Sequence, residues 1–213
     1  GGNGGCAFSL VNKFAGMDCY VGVDLAATSD LTAVAYLVVL DGTYHFKTHY
    51  YLPESALKDK ADKELYKYWK QQGYLTVTSG NVTDYDYITT DMLRYADVVN
   101  IQSVGYDKYN ATQWAIDSTE QGLPLEEYPQ TLGNFNMPTR ELERLILSGK
   151  AVIDNNEINR YCFRNVTLKS DYNGNVKPNK AVDKKKIDGT IAMIQALGMY
   201  LRTPHYTNEI LTI

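Results

Sequence analysis

Apolar positions crowd into three closely spaced runs early in the chain, the pattern of a β-meander. Cys19–Ala26 is almost continuously apolar, as suits a central strand covered on both faces. Leu31–Leu40 reads as a second strand, and Asp41-Gly42 is a tight hairpin signal. Thr43–Leu52 follows as a third strand, aromatic and alternating. Pro53 ends the run, and residues 54–72 are charged and helical, with Leu57, Leu65, Tyr68 and Trp69 as the buried face and Gly73 as the stop. Leu75–Thr78 is a short extended piece. Asp84 caps a helix over Tyr85–Val98, with Ile88, Met92, Leu93 and Tyr95 turned inward. Ile101–Tyr106 is a further strand.

In the second half, Asn110 or Thr112 opens a helix that runs to about Gln121. A short strand over Leu125–Tyr128 and a loop over Pro129–Asn136 lead to a helix beginning near Pro138, a first-turn proline. Leu142, Leu145 and Ile146 are its inward face, and Gly149 closes it. Ala151–Ile153 forms a small strand and Asn155–Asn165 a helix. Val166–Lys169 and Asn175–Lys177 flank Tyr172-Asn173-Gly174, a hairpin by its Asn-Gly turn. Five lysines follow between Lys177 and Lys186, then a strongly apolar helix over Ile187–Leu201. Residues 1–17 read as a flexible lead-in, with GGNGG disordered or an expression remnant, and 204–213 as a tail around a single domain over 18–203.

Composition narrows the class. At 213 residues, 44% hydrophobic and 22% charged, the chain is long enough for one sizeable α/β core. No apolar run approaches the roughly 20 residues of a membrane span, so no membrane partner is expected. Cys6, Cys19 and Cys162 are odd in number and widely spaced, without zinc or disulfide patterning, which points to a reducing compartment. The net charge of −4 argues against a broad DNA-coating surface, but not against a nuclease whose carboxylates are neutralised by metal. The 18 tyrosines read mostly as half-buried strand residues.

Three acids stand in unusual settings. Asp24 sits inside the first β-run, Asp107 at the end of the strand over residues 101–106, and Asp188 in the first turn of the last helix. A carboxylate in a strand is costly to bury unless a cation meets it. Each acid also has a simpler reading: Asp24 and Asp107 as turn residues, Asp188 as a favourable charge at a helix N-terminus. Taken jointly, three clustered carboxylates need counter-charge. Two Mg²⁺ or Mn²⁺ ions about 4 Å apart would supply it and drive an in-line phosphodiester displacement. Hard oxygen ligands suit those ions and not zinc. The order of strands, helices and acids is that of a ribonuclease H-like fold: a mixed α/β sheet, with an antiparallel three-strand meander plus parallel strands, flanked by helices.

The stretches YVGVDLAATSDLTAV, QQGYLTVTSGNVTDYDYI, IQSVGYDKYNATQ, MPTRELERLILSGK and KKKIDGTIAMIQALG together resemble the nuclease domain of tailed-phage terminase large subunits, closest to the branch associated with HK97-like phages. The resemblance runs collinearly over roughly residues 19–201. It implies a metal-dependent endonuclease that cuts concatemeric viral DNA in the host cytoplasm. It implies double-stranded DNA, an ATPase motor, the portal and the small terminase subunit as partners. Asp24, Asp107 and Asp188 match the family's catalytic, metal-holding acids. The motor's phosphate-loop motif, G-x-x-x-x-G-K-[ST], does not occur, so the motor is expected in an excised domain or a separate gene product.

Supporting residues carry two readings each. Asp30 is an added ligand or a turn residue. Lys108 contacts the scissile phosphate or faces solvent. Lys177, Lys180, Lys184, Lys185 and Lys186 form a DNA-facing cluster or a solvated charge run. Arg140, Glu141 and Arg144 are spaced for surface ion pairs. His45 and His49 share a strand face and read as sheet residues. Two alternatives stand beside the terminase reading: a catalytically quiet docking module of a packaging assembly, and another ribonuclease H-like nuclease such as a resolvase or an integrase.

Overall fold

The computed structural model describes residues 13–26, 30–58, 62–109, 111–183 and 185–205. Asn110, Lys184, Cys6 and the small-residue turn at 27–29 lie outside these. The expected meander forms as β1 (Asp18–Asp24), β2 (Thr32–Leu40) and β3 (Thr43–Pro53), with β1–β2 and β2–β3 antiparallel. Asp41 and Gly42 both take positive φ, 50° and 71°, as the tight turn between right-twisted strands requires.

The sheet then becomes mixed. β4 (Thr76–Thr78) and β7 (Ala151–Ile153) pair in parallel with opposite ends of β3. On the other side, β5 (Asn100–Tyr106) runs parallel to β1, and β6 (Leu125–Glu127) parallel to β5. The strand order is β4-β3-β2-β1-β5-β6, which puts β1 in the interior with neighbours on both edges. A separate antiparallel hairpin consists of β8 (Val166–Ser170) and β9 (Val176–Lys180).

Alternation along β1 assigns the two faces. Cys19, Val21 and Val23 pack with Ile88 and Met92 of α2 (Tyr85–Ala96) and Trp114 of α3 (Thr112–Glu120). Tyr20 faces the opposite way, into a cluster with α1 (Lys63–Gln71), α4 (Leu132–Leu147), α5 (Glu157–Arg164) and α6 (Asp188–Arg202). This is the mixed, helix-flanked sheet the sequence predicts.

Several local expectations are corrected. The stretch 54–72 is not one helix: a 3-10 turn over Glu54–Leu57 precedes α1. The helix phase is therefore set from Lys63, so Tyr66 is buried with Trp69 while Tyr68 is exposed. Helix α4 begins at Leu132, capped by Thr131, and Pro138 lies inside it. A proline there has no N–H for the carbonyl four residues back. That carbonyl, of Asn134, accepts instead from the Tyr128 hydroxyl at 2.7 Å, so the helix tolerates the gap. The β8–β9 connection is a five-residue loop over 171–175 and not a two-residue Asn-Gly turn. The Asp171 carboxylate accepts from the Asn173 and Asn175 amides, and Gly174 alone in it takes positive φ. Within the stretch read as a lead-in, Phe14 is buried against His45, and Gly16 donates to the Val98 carbonyl.

Candidate active site

Asp24 ends β1 on the same face as Gly22, which meets α6. No side chain fits at Gly22: a Cβ there would lie 2.1 Å from the Ala192 carbonyl oxygen and 2.4 Å from the Ala196 amide nitrogen. The helix backbone therefore rests directly on the strand. Two residues further along β1 is Asp24, and one helical turn back from Ala192 is Asp188. These steps are of similar length, roughly 6–7 Å each, which brings the two carboxylates together where β1 ends and α6 begins. The same reasoning places Asp107. β1 and β5 pair Gly22 with Gly105 and Val23 with Tyr106, so the next residues on each strand are Asp24 and Asp107.

The electrostatics of the pair is unresolved by protein alone. Burial, then the negative charge of Asp188, pushes the Asp24 carboxyl well above the usual range. Burial, then the charge of Asp30, raises Asp188 to about 6. Asp188 Oδ2 is buried with no hydrogen-bond partner. Asp30 behaves differently. Burial pushes it up, but an ion pair with Lys186 outweighs that and carries it below its ordinary value. Its Oδ1 also accepts from the Leu31 amide.

Asp107 is held by backbone. Its Oδ1 accepts from the Tyr109 amide and its Oδ2 from the Gln130 amide, both at 3.0 Å. Gln130 in turn donates its side-chain Nε2 to Asp24 Oδ1 at 3.0 Å, so one residue touches two of the three expected acids. Sequence reading passes over Gln130, which lies in a proline-containing loop with no motif around it. The only signal is its place one loop beyond β6, the strand beside β5.

The lysines divide. Lys177 Nζ donates to the Gln130 carbonyl at 2.7 Å, and Lys186 pairs with Asp30. The charge of Lys180 lowers the carboxyls of Asp24, Asp30 and Asp188. Lys185 stands 5.7 Å over the Tyr161 ring. Lys108 makes a 3.5 Å surface pair with Glu127, both largely exposed. Arg144 and Glu141 form the surface ion pair their spacing suggests. His49 is half-buried and bonded to the Tyr95 hydroxyl at 2.8 Å, a sheet residue as expected.

Could these residues hold a divalent cation? Among the described residues, no three His, Cys, Asp or Glu side chains already converge as a cage. The donor chemistry nevertheless fits a hard ion. The charge of Asp188 raises Asp24, that of Asp30 raises Asp188, one Asp188 oxygen is orphaned, and the anionic ligands on offer are carboxylate oxygens.

The chain matches the family described as terminase large subunit, endonuclease domain, over residues 6–203. Protein YmfN of Escherichia coli strain K12 is 32% identical over 206 residues, covering 88% of this chain and 44% of that protein. The terminase large subunit of Enterobacteria phage HK97 is 28% identical over 184 residues, covering 84% of this chain and 36% of that protein. The crystal structure of the HK97 large terminase superposes with a TM-score of 0.78 at 27% identity, covering 90% of this chain and 42% of that one. The large terminase nuclease from phage G20c shares the fold, with a TM-score of 0.55 at 14% identity over 84% of this chain and 81% of that one. The chain thus spans less than half the length of the first two relatives.

Proposed function

The chain belongs to the terminase large-subunit endonuclease-domain family, and from that premise we propose that it is a divalent-metal-dependent endodeoxyribonuclease that cuts concatemeric viral DNA during packaging. The observation that carries this reading is the Asp24–Asp188 pair, where burial and neighbouring carboxylates raise both carboxyls despite the nearby lysines and one Asp188 oxygen has no hydrogen-bond partner. Asp24, Asp188 and Asp107, with Asp30 beside them, would hold Mg²⁺ or Mn²⁺, one ion or two. A G20c terminase nuclease structure with bound magnesium and another with bound cobalt lend support for divalent metal. Bound there, the metal would neutralise the carboxylates, supply a water nucleophile at neutral pH and stabilise the leaving 3′ oxygen.

The chain's own residues have separate tasks. Asp24 and Asp188 supply the negative charge that selects a cation. Gln130 donates to Asp24 and fixes one carboxylate oxygen, leaving the other free to bind. Lys180 and Lys186 offset the acids and keep the site from repelling a phosphate. Lys108, which is exposed, and Lys185 would meet the DNA backbone. The remaining partners, an ATPase motor, a portal and a small subunit, belong to the whole terminase. A large terminase from a thermophilic bacteriophage has been crystallised in complex with ATP-γ-S, which supports a motor elsewhere in the parent protein.

Plasmid digestion in Mg²⁺ or Mn²⁺ tests the reading. Wild-type chain should nick and linearise plasmid, and Asp24→Asn and Asp188→Asn should not. Undiminished cutting by both variants would sink the assignment. Absence of any metal-dependent cutting or thermal shift in the wild type would favour the quiet docking module.

A further inference from the structure

Gln130 holds three parts of the molecule at once. Its side-chain Nε2 donates to Asp24 Oδ1 at 3.0 Å, its backbone amide to Asp107 Oδ2 at 3.0 Å, and its carbonyl accepts from Lys177 Nζ at 2.7 Å. Asp24 belongs to β1, Asp107 to the end of β5 and Lys177 to β9. The loop itself is anchored beside the site: Tyr128 donates from its amide to the Tyr106 carbonyl, and Thr131 caps α4 immediately afterwards. With both ends of this short segment fixed, Gln130 has little freedom to take another pose.

We infer that Gln130 is the positioning residue of the acid site, and that Lys177 acts through Gln130 and not as a DNA contact. The inference rests on the metal-nuclease reading above. An amide donor, unlike a lysine, fixes one oxygen of Asp24 without neutralising the carboxylate, so the charge stays available to a cation. Because the Gln130 amide holds Asp107 at the same time, the spacing of the two acids is set by a single residue. Lys177 pins the carbonyl of that residue and so ties the β8–β9 hairpin to the spacing. The hairpin is also held at the neighbouring residue, where the Val176 amide donates to Asn136 Oδ1 of α4 at 2.9 Å. The hairpin therefore keeps its place when Lys177 is changed, and the loss is confined to the pin.

The test uses the whole chain, with Mn²⁺ alone titrated by calorimetry and plasmid cleavage measured at saturating Mn²⁺. Gln130→Ala is expected to weaken Mn²⁺ affinity and to lower kcat, each by about 10-fold or more, as removal of an outer partner of a metal ligand does. The KM for DNA and the metal-free melting temperature should stay close to wild type. Lys177→Met should shift Mn²⁺ affinity in the same direction by a smaller factor. The double variant should lose less than the two single losses combined, since part of what Lys177 does runs through the Gln130 side chain, while the backbone amide and carbonyl of residue 130 remain in both. If Lys177→Met raises the KM for DNA and adds fully to Gln130→Ala, Lys177 is a DNA contact and the inference falls. It falls also if Gln130→Ala leaves Mn²⁺ affinity and kcat at wild-type values while Asp24→Asn abolishes both. Asp24→Asn with wild-type Mn²⁺ affinity would overturn the site reading itself, so the two failures are told apart.

Discussion

The two faces of the sheet treat their buried polar groups in opposite ways. Against α2 and α3, most buried polar atoms find partners, the Tyr36 hydroxyl being an exception. Trp114 Nε1 donates to Thr89 Oγ1, which shares a bond with Ser118 Oγ, each at 2.9 Å. Tyr51 donates to Asp91, which also pairs with Arg94. Burial drives His49 down to about 3, so it stays neutral against the Tyr95 hydroxyl. Against α6, four buried polar atoms of the helix lack partners, Asp188 Oδ2, Thr190 Oγ1 and both amide atoms of Gln195, and the charge of Asp188 raises the Asp24 carboxyl. A satisfied buried network contributes stability, whereas an unsatisfied one persists only where something else requires it. The difference supports the proposal that the α6 end is the working face and the α2–α3 side its support.

The sharpest break of this contrast is a crossed pair of variants. Asp24→Asn or Asp188→Asn should reduce plasmid cleavage by about 10²-fold or more, as loss of a metal-holding carboxylate does, while the metal-free protein melts no lower than wild type because a buried repulsion is relieved. Trp114→Ala on the other face should do the reverse. It should cost about 3–5 kcal/mol of stability, with activity per folded molecule retained. Melting curves by circular dichroism and cleavage rates on the same preparations measure both. An Asp188→Asn protein that melts lower and cuts normally would erase the distinction between the faces.

Next in size is the contact that aligns the working face. Gly22→Val places side-chain carbon against the α6 backbone at Ala192 and Ala196, where neither neighbour is a movable side chain end. Overpacking of this kind costs typically 1–3 kcal/mol, and more where backbone must shift. The expected result is destabilisation at the upper end of that range together with lost cleavage, since lifting α6 separates Asp188 from Asp24. Urea denaturation gives the first and plasmid digestion the second. Retained activity in a folded Gly22→Val chain would mean the acids are not brought together by this contact.

A smaller effect is expected at the supporting face. Tyr95→Phe leaves the half-buried His49 Nε2 without its partner, a loss of about 1 kcal/mol by denaturant unfolding, with no change in cleavage. A loss well below that would show that the α2–α3 side does not depend on its bonds.

How much of this was readable beforehand differs by element. The meander was legible because its strands alternate or run apolar and because Asp41-Gly42 permits one turn geometry. The Asp84 cap was legible because it is local: its carboxylate accepts from the Tyr87 amide three residues on. The start of α4 was not legible, because what lets a helix run through Pro138 is the hydroxyl of Tyr128, supplied from outside the helix. Gln130 was hidden for the same reason. Its role follows from β6 lying beside β5, a pairing that its own loop does not encode. Asp24, Asp107 and Asp188 could be singled out by their odd settings, but their relative placement depends on Gly22 letting α6 approach. The lysine cluster was legible as charge and not as geometry, since Lys177 and Lys186 bond inward to Gln130 and Asp30.

The smallest effect in the wild type is a pH dependence in which the two faces oppose each other. Asp188 is raised from 3.8 to about 6 in the folded chain, so folded protein holds the proton more tightly than unfolded. Its contribution is fully present below pH 3.8 and is lost as pH rises through 6, so lowering pH from 7.5 to about 5 stabilises the metal-free chain. His49 is lowered from 6.5 to about 3, so unfolded protein binds the proton first. Its contribution is present above pH 6.5 and drains away as pH falls towards 3. At about pH 5 each is worth about 1–2 kcal/mol with opposite sign, and wild-type melting should change little from these two groups. The variants separate them. Asp188→Asn removes its share of the gain, while Asp24, raised mainly by burial, keeps its own, so the variant should lose more stability than wild type on going from pH 7.5 to pH 5. His49→Gln keeps an acceptor for Tyr95 and removes the loss, so it should melt higher at pH 5 than at pH 7.5. Adding Mn²⁺ should cancel the Asp188 side of the balance alone, because a bound cation keeps that carboxylate ionised while His49 lies on the other face of the sheet. If both variants kept the wild-type pH profile, the charge imbalance between the two faces would have no thermodynamic weight.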